Sequence, residues 1–303
     1  MTNAQAAQNP SASAQHVLSD GRTLTYRVYG SAIAEARRVA IALHGTPGSC
    51  LKYAPASEAA AARGISLVAV DRWGYAGTAA PSADMQTLAR FGQDIGELAD
   101  ALSLQSLDVV GISGGGPFAV AVAEALPERV RKLALVAPVG LLRTDDGART
   151  EGLSLFHQFC FFRLPRRAWA VRAVFSSFDR ILAARPASGI SIAMARSGPA
   201  DRKLLQNDEI VVGLARMMRH GMAPGPAGPA IDLKLFGELE VARVRLVRSD
   251  ARVWFGDQDG SVPEAAVVCL ARHMPRAALV RLEGQGHFWI ATGFPKVLDW
   301  LAK

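Results

Sequence analysis

From residue 16 onward, short β-branched apolar runs alternate with longer helical stretches, and that alternation narrows the possible folds more than any other feature of the chain. The strand runs fall at 16–18, 23–28, 39–43, 65–70, 107–112, 132–136, 251–255 and 278–282. Most of the later ones are apolar at successive positions, as strands covered on both sheet faces are. The helical stretches fall at 54–62, 87–102, 115–125, 264–273 and 295–301. Strands joined through helices need right-handed crossovers, which predicts an α/β fold: eight strands, mostly parallel, with helices on both faces. Ser19-Asp20-Gly21 joins the first two runs as an antiparallel hairpin.

The alternation lapses from 141 to 235, where amphipathic helical stretches at 153–162, 168–183 and 208–220 occur without a convincing strand. A Pro/Gly-rich run at 222–229 reads as a linker closing this span. The expected organisation is a core built from 16–140 and 236–303, interrupted by a helical cap over 141–235. Residues 1–15 are polar and read as a disordered tail, with no charged start and apolar core of a secretory signal. The longest apolar stretches, such as 133–139, fall far short of the roughly 20 residues that span a bilayer, so no stable membrane insertion is expected. Cys50, Cys160 and Cys269 are odd in number and scattered, which points to a reducing compartment, hence a cytoplasmic protein, and fits no zinc pattern. The formal charge of +7 is spread along the chain, with no Lys/Arg block and no nucleic-acid-reading motif, so no nucleic-acid partner is expected.

The chemistry concentrates at Gly111-Ile112-Ser113-Gly114-Gly115, a G-x-S-x-G between an apolar strand and a helix. A serine on so tight a turn is held strained with its hydroxyl projecting, and its neighbours two positions away must be very small. A dinucleotide loop fits less well: the register Gly111–Ser113–Gly116 has Ser at its middle position, and no acid follows about 20 residues on. A serine hydroxyl needs a base. His16, His157, His220 and His273 sit in strand or helix positions, whereas His44 and His287 sit in Gly-rich loops after strands. His287, between the last strand and the last helix, is the expected base, and His44 belongs to a turn that supplies an oxyanion N–H. The base needs a carboxylate to hold its tautomer. Asp257 and Asp259 both follow the strand at 251–255; Asp259, one loop turn further on, is preferred. The order Ser113, Asp259, His287 is Ser…Asp…His.

With those residues placed, the chain resembles the α/β-hydrolase superfamily over roughly 16–303, and within it small bacterial hydrolases with an HGTPGS loop (His44–Ser49) and a G-x-S-G-G-G-P elbow (Gly111–Pro117). The resemblance implies hydrolysis through a covalent intermediate without metal or organic cofactor. It also implies an oxyanion hole made by the backbone N–H groups of Thr46 and Gly114. Trp73 stands where relatives usually carry Pro; it either walls the pocket or packs the loop, and loop packing is the favoured reading of the two.

The span 141–235 carries Phe156, Phe159, Phe161, Phe162, Phe175 and Phe178 beside Arg163, Arg166, Arg167, Arg172 and Arg180. Trp73, Phe159, Phe162 and Phe288 are the candidate substrate contacts. The expected activity is cleavage of an ester, thioester or lactone bond in a small to medium apolar small-molecule substrate by a monomer or homodimer. Amide or C–C bond hydrolysis, acyl transfer, or non-catalytic ligand binding on the same fold would use the same constellation.

Overall fold

In the computed structural model, which describes residues 13–303, the chain opens with an antiparallel hairpin of β1 (Ser13–Val17) and β2 (Thr23–Gly30). Gly21 closes its turn at φ +84°, a left-handed conformation natural to glycine. The expected tail is corrected here: Ser13, Ala14 and Gln15 pair with Arg27, Tyr26 and Thr25, because β2 offers them an open edge. Ala14 is buried by that pairing, while residues 1–12 lie outside the described residues.

The hairpin leads into β3 (Arg38–Leu43), β4 (Ile65–Val70), β5 (Leu107–Ile112), β6 (Val130–Val136), β7 (Asp250–Gly256) and β8 (Ala277–Leu282). All eight strands form one sheet in the order β1-β2-β4-β3-β5-β6-β7-β8. β2 is antiparallel to β4, and every pairing beyond it is parallel. Because side chains alternate across a strand, each apolar run feeds two cores. Ile41, Leu43, Val68 and Val70 face one core with α2 (Leu88–Ala101), α3 (Gly116–Ala125) and α9 (Glu264–His273). Ala40, Ala42, Leu67 and Ala69 face the other, with α1 (Ser57–Ala61) and α10 (Ile290–Ala302). Thr87 caps α2 by accepting from the Arg90 N–H, a contact worth about 1 kcal/mol.

Between β6 and β7 the chain is helical. The turn Leu155–Gln158 runs into a π-helical segment, Phe159–Arg163. Then follow α4 (Ala168–Ala184), α5 (Pro186–Ala193), α6 (Pro199–Leu204), α7 (Asp208–Met222) and α8 (Ala227–Phe236). Leu182, Ile190, Leu214 and Met218 give this insertion a small core of its own. The 222–229 run is not simply a linker, since α7 continues through Met222 and α8 starts at Ala227. Pro229 sits in the first turn of α8, where a missing N–H costs no helical bond. Among the described residues no helix is long and apolar enough to cross a membrane.

Candidate active site

β5 hands the chain to α3 through Ser113, which takes φ +52°. An L-residue holds that conformation only where its surroundings enforce it. They do so by crowding: a methyl on Gly111 would come 2.6 Å from the Ala119 Cβ, and one on Gly115 would come 2.5 Å from the Leu43 carbonyl. Only glycine fits at either position, and the serine is left projecting at the C-terminal edge of the sheet.

His287 lies in the loop between β8 and α10, and Asp259 in the loop after β7. The His287 ring spans the two, with Nε2 3.0 Å from Ser113 Oγ and Nδ1 2.7 Å from Asp259 Oδ2. The other oxygen of Asp259 accepts from the N–H groups of Ser261 (2.8 Å) and Val262 (3.1 Å), which fixes the carboxylate against rotation. With Nδ1–H donating to a carboxylate, Nε2 is left to accept from the serine hydroxyl. Burial lowers the affinity of the imidazole for a proton, but the charge and hydrogen bond of Asp259, joined by the charge of Asp201, outweigh burial and raise its pKa above the ordinary 6.5. Asp257 lies elsewhere: it is exposed and accepts from the Gly284 N–H at 2.8 Å.

His44 is fully buried, its Nε2 accepting from the Arg72 N–H (3.2 Å) and its Nδ1 facing the Gly45 carbonyl (2.8 Å). Burial, reinforced by the Arg72 charge, pushes its pKa well below 6.5, so it stays neutral. The loop it begins is tied to the insertion. Asp232 on α8 accepts from the Thr46 hydroxyl (2.5 Å), the Tyr75 hydroxyl (2.6 Å) and the Arg72 guanidinium. Arg72 also donates to the His44 carbonyl, and the Arg72 and Asp232 side chains are 0% and 1% exposed.

Thr46, Gly114, Ser113 and His287 share one cavity of about 960 Å³, roofed by the insertion. Its wall is mainly apolar, and Phe159 and Phe288 belong to it. The Phe288 ring meets His287 edge-on, 5.0 Å between centroids. Phe156, Phe161, Phe175, Phe178 and Phe236 complete the aromatic lining.

Two expected contacts are absent from that wall. Trp73 is buried below the loop, its indole N–H donating to Asp94 Oδ2 (2.9 Å) and its ring edge-on to Phe91. A buried indole N–H needs an acceptor, and α2 supplies one. Phe162 is packed beneath the Arg143 and Arg149 guanidiniums, 5.2 and 4.7 Å from its ring. Both lie in one helical stretch of the sequence, but the wider π-helical turn there puts Phe159 at the cavity and Phe162 away from it.

Residues 34–219 match the model of a hydrolase family described as serine aminopeptidase, S33. The chain belongs to this α/β-hydrolase family. Over 113 residues the hydrolase is 34% identical to a candidate carbamate hydrolase, RutD, of Caulobacter sp. strain K31, covering 37% of the chain and 41% of that protein. The match thus spans about two fifths of that relative's length. Over 231 residues it is 26% identical to a 2-hydroxymuconate semialdehyde hydrolase of Pseudomonas putida, covering 74% of the chain and 70% of the relative. Its fold is shared with the enol-lactonase of Burkholderia xenovorans LB400, at TM-score 0.71 and 18% identity over 95% of the chain and 100% of that structure.

Asp232 and Asp201 escaped sequence reading. Asp232 left one signal, a carboxylate set between Ile231 and Leu233 in α8, while Asp201 lies in a short helix that carries several charges. Away from the cavity, Cys50, Asp71 and His220 bring three donor atoms within 4.8 Å of one another. The Asp71 oxygens there already accept from the Cys50 N–H (2.7 Å) and the Thr25 hydroxyl (3.1 Å), an arrangement that fixes a loop.

Proposed function

We propose that this hydrolase cleaves an ester, thioester or lactone bond of a small to medium apolar substrate through an acyl-enzyme on Ser113. The observation that carries the reading is the unbroken line Asp259–His287–Ser113, at 2.7 and 3.0 Å, at the foot of an apolar cavity. In this reading Ser113 Oγ attacks the substrate carbonyl while its proton passes to His287 Nε2. Asp259 holds the ring and stabilises the imidazolium. The backbone N–H groups of Gly114 and Thr46 take the oxyanion, whose donors are each worth about 3–4 kcal/mol of barrier. The imidazolium returns its proton to the departing oxygen or sulfur, and the C–O or C–S bond breaks. A water, deprotonated by His287, then attacks the acyl carbon and releases the acid and Ser113.

The size and apolar wall of the cavity support an acyl chain longer than acetyl. Hydrolysis of a carbon–carbon bond is a second reading, favoured by the 2-hydroxymuconate semialdehyde hydrolase relative. A series of p-nitrophenyl esters from acetate to octanoate separates the two. The first reading expects turnover that improves with chain length and falls on the order of 10⁴- to 10⁶-fold in Ser113→Ala. No turnover anywhere in the series, with cleavage of 2-hydroxymuconate semialdehyde instead, would move the assignment to the second.

A further inference from the structure

The helical insertion does more than roof the cavity. Asp201, on α6, is 1% exposed and does not belong to the cavity wall. Its two oxygens are spent on the loop that carries the candidate base: Oδ2 accepts from the His287 N–H and Oδ1 from the Phe288 N–H, both at 2.8 Å. The approach is so close that Gly286 must be glycine, since a methyl there would strike the Asp201 carboxyl. The preceding residue of α6 is pinned as well. The Ala200 N–H donates to Gln258 Oε1 (3.0 Å), one position before Asp259. A single short segment of the insertion therefore sits on both the acid loop and the base loop.

We infer that Asp201 is a positioning residue for the base, clamping the His287 loop through two backbone N–H groups and adding a second negative charge behind the imidazole. The inference rests on the proposed roles of Ser113, His287 and Asp259. A buried carboxylate bound by two backbone donors keeps its charge close to the ring, and hydrogen bonds to an ionised acceptor are roughly twice as strong as neutral ones. Burial itself pushes the Asp201 carboxyl up from the ordinary range, and the Phe288 and His287 N–H groups oppose that push. Three charged groups act on the ring: Asp259 from the loop after β7, Asp201 from α6, and Lys52 from the segment after β3. The two carboxylates favour the imidazolium and Lys52 disfavours it. The transition state makes an imidazolium, so the Asp201 charge lowers the barrier even though it touches neither substrate nor the reacting atoms.

The test is the pH dependence of inactivation by a fluorophosphonate, with p-nitrophenyl butyrate turnover beside it. Asp201→Asn keeps the shape and one acceptor but removes the charge. It is expected to move the acid limb of the inactivation profile to lower pH, as His287 loses a favourable charge. It is also expected to lower kcat about tenfold to a hundredfold, the range for one charge-assisted hydrogen bond, with KM unchanged. Asp201→Ser, smaller and neutral, should shift the limb the same way if the amide variant folds poorly, and Asp201→Glu should keep the wild-type limb even where kcat falls. A folded Asn or Ser variant that loses activity with its acid limb unmoved would overturn the electrostatic role and leave only a scaffold contact. Ser113→Ala, run alongside, keeps the two questions apart: if it still labels and turns over, the catalytic reading itself has failed.

Discussion

Replacing Asp232 with alanine tests how the insertion holds the Thr46 loop. In the native fold this carboxylate receives the Thr46 and Tyr75 hydroxyls and the Arg72 guanidinium in a site where both ionised side chains are at most 1% exposed. Removing one partner of such a pair strands the other charge out of water, which costs about 3–5 kcal/mol. Two hydroxyls lose their acceptor as well, at about 1–3 kcal/mol for any that stays unsatisfied. These penalties overlap, because Arg72 keeps its bonds to the His44 carbonyl and the Thr46 hydroxyl. A loss near 3–5 kcal/mol is expected for Asp232→Ala, against a total domain stability of about 5–15 kcal/mol. Urea unfolding followed by tryptophan fluorescence reads it directly. The cycle of Arg72→Met, Asp232→Leu and the double variant reads the coupling. The double should be less destabilised than the sum of the singles by about 1–3 kcal/mol, because no charge is then left alone. Fluorophosphonate labelling of Asp232→Ala should slow by about tenfold or more if the Thr46 N–H serves the proposed oxyanion hole. A stability loss under about 1 kcal/mol, or strict additivity in the cycle, would refute this reasoning.

The same geometry fixes four further outcomes. Phe159 is half exposed at the cavity wall, so Phe159→Ala should raise KM for octanoate esters about fivefold, from roughly 1 kcal/mol of lost apolar contact, and leave acetate esters nearly unchanged. Phe162→Ala, outside the wall, should instead cost about 3 kcal/mol of stability, with equal losses along the ester series; selectivity changes there would contradict its placement. Asp259→Asn should lower kcat about 10⁴-fold while Asp257→Asn stays close to wild type, as measured by steady-state kinetics, and the reverse result would shift the acid by two residues. His287 has a folded pKa raised above 6.5, so the stability it contributes is complete below pH 6.5 and is lost as pH rises through the folded pKa. Urea unfolding of His287→Gln against wild type across pH 5–9 should show the gap closing toward high pH; a gap that widened would give the shift the wrong sign.

The sheet was legible because runs such as Val39–Leu43 and Leu67–Val70 are apolar on both alternating faces, and only a strand covered twice has a use for that. Ser113 was legible for a local reason: a strand, a turn of tiny residues and a helix lie consecutively in the chain. His287 and Asp259 could be chosen by loop position, since both follow strands on the edge where Ser113 emerges. What escaped depended on distant partners. The inward turn of Trp73 requires the Asp94 acceptor on a separate helix. The role of Asp232 appears only with Thr46, 186 positions away, and that of Asp201 only with His287, 86 positions away. Phe162 was misplaced because nothing in the residue pattern of 153–162 announces a π-helical turn in place of an α-helical one.

Whether Ser113 is the nucleophile activated by His287 can be read from an adduct map. The native protein is treated with a fluorophosphonate near neutral pH, digested, and the modified peptide located by mass spectrometry. One adduct per chain is expected, on Ser113, absent in Ser113→Ala and formed at least about a thousandfold more slowly in His287→Ala. An adduct on another residue, or labelling of Ser113 at the same rate without His287, would contradict it.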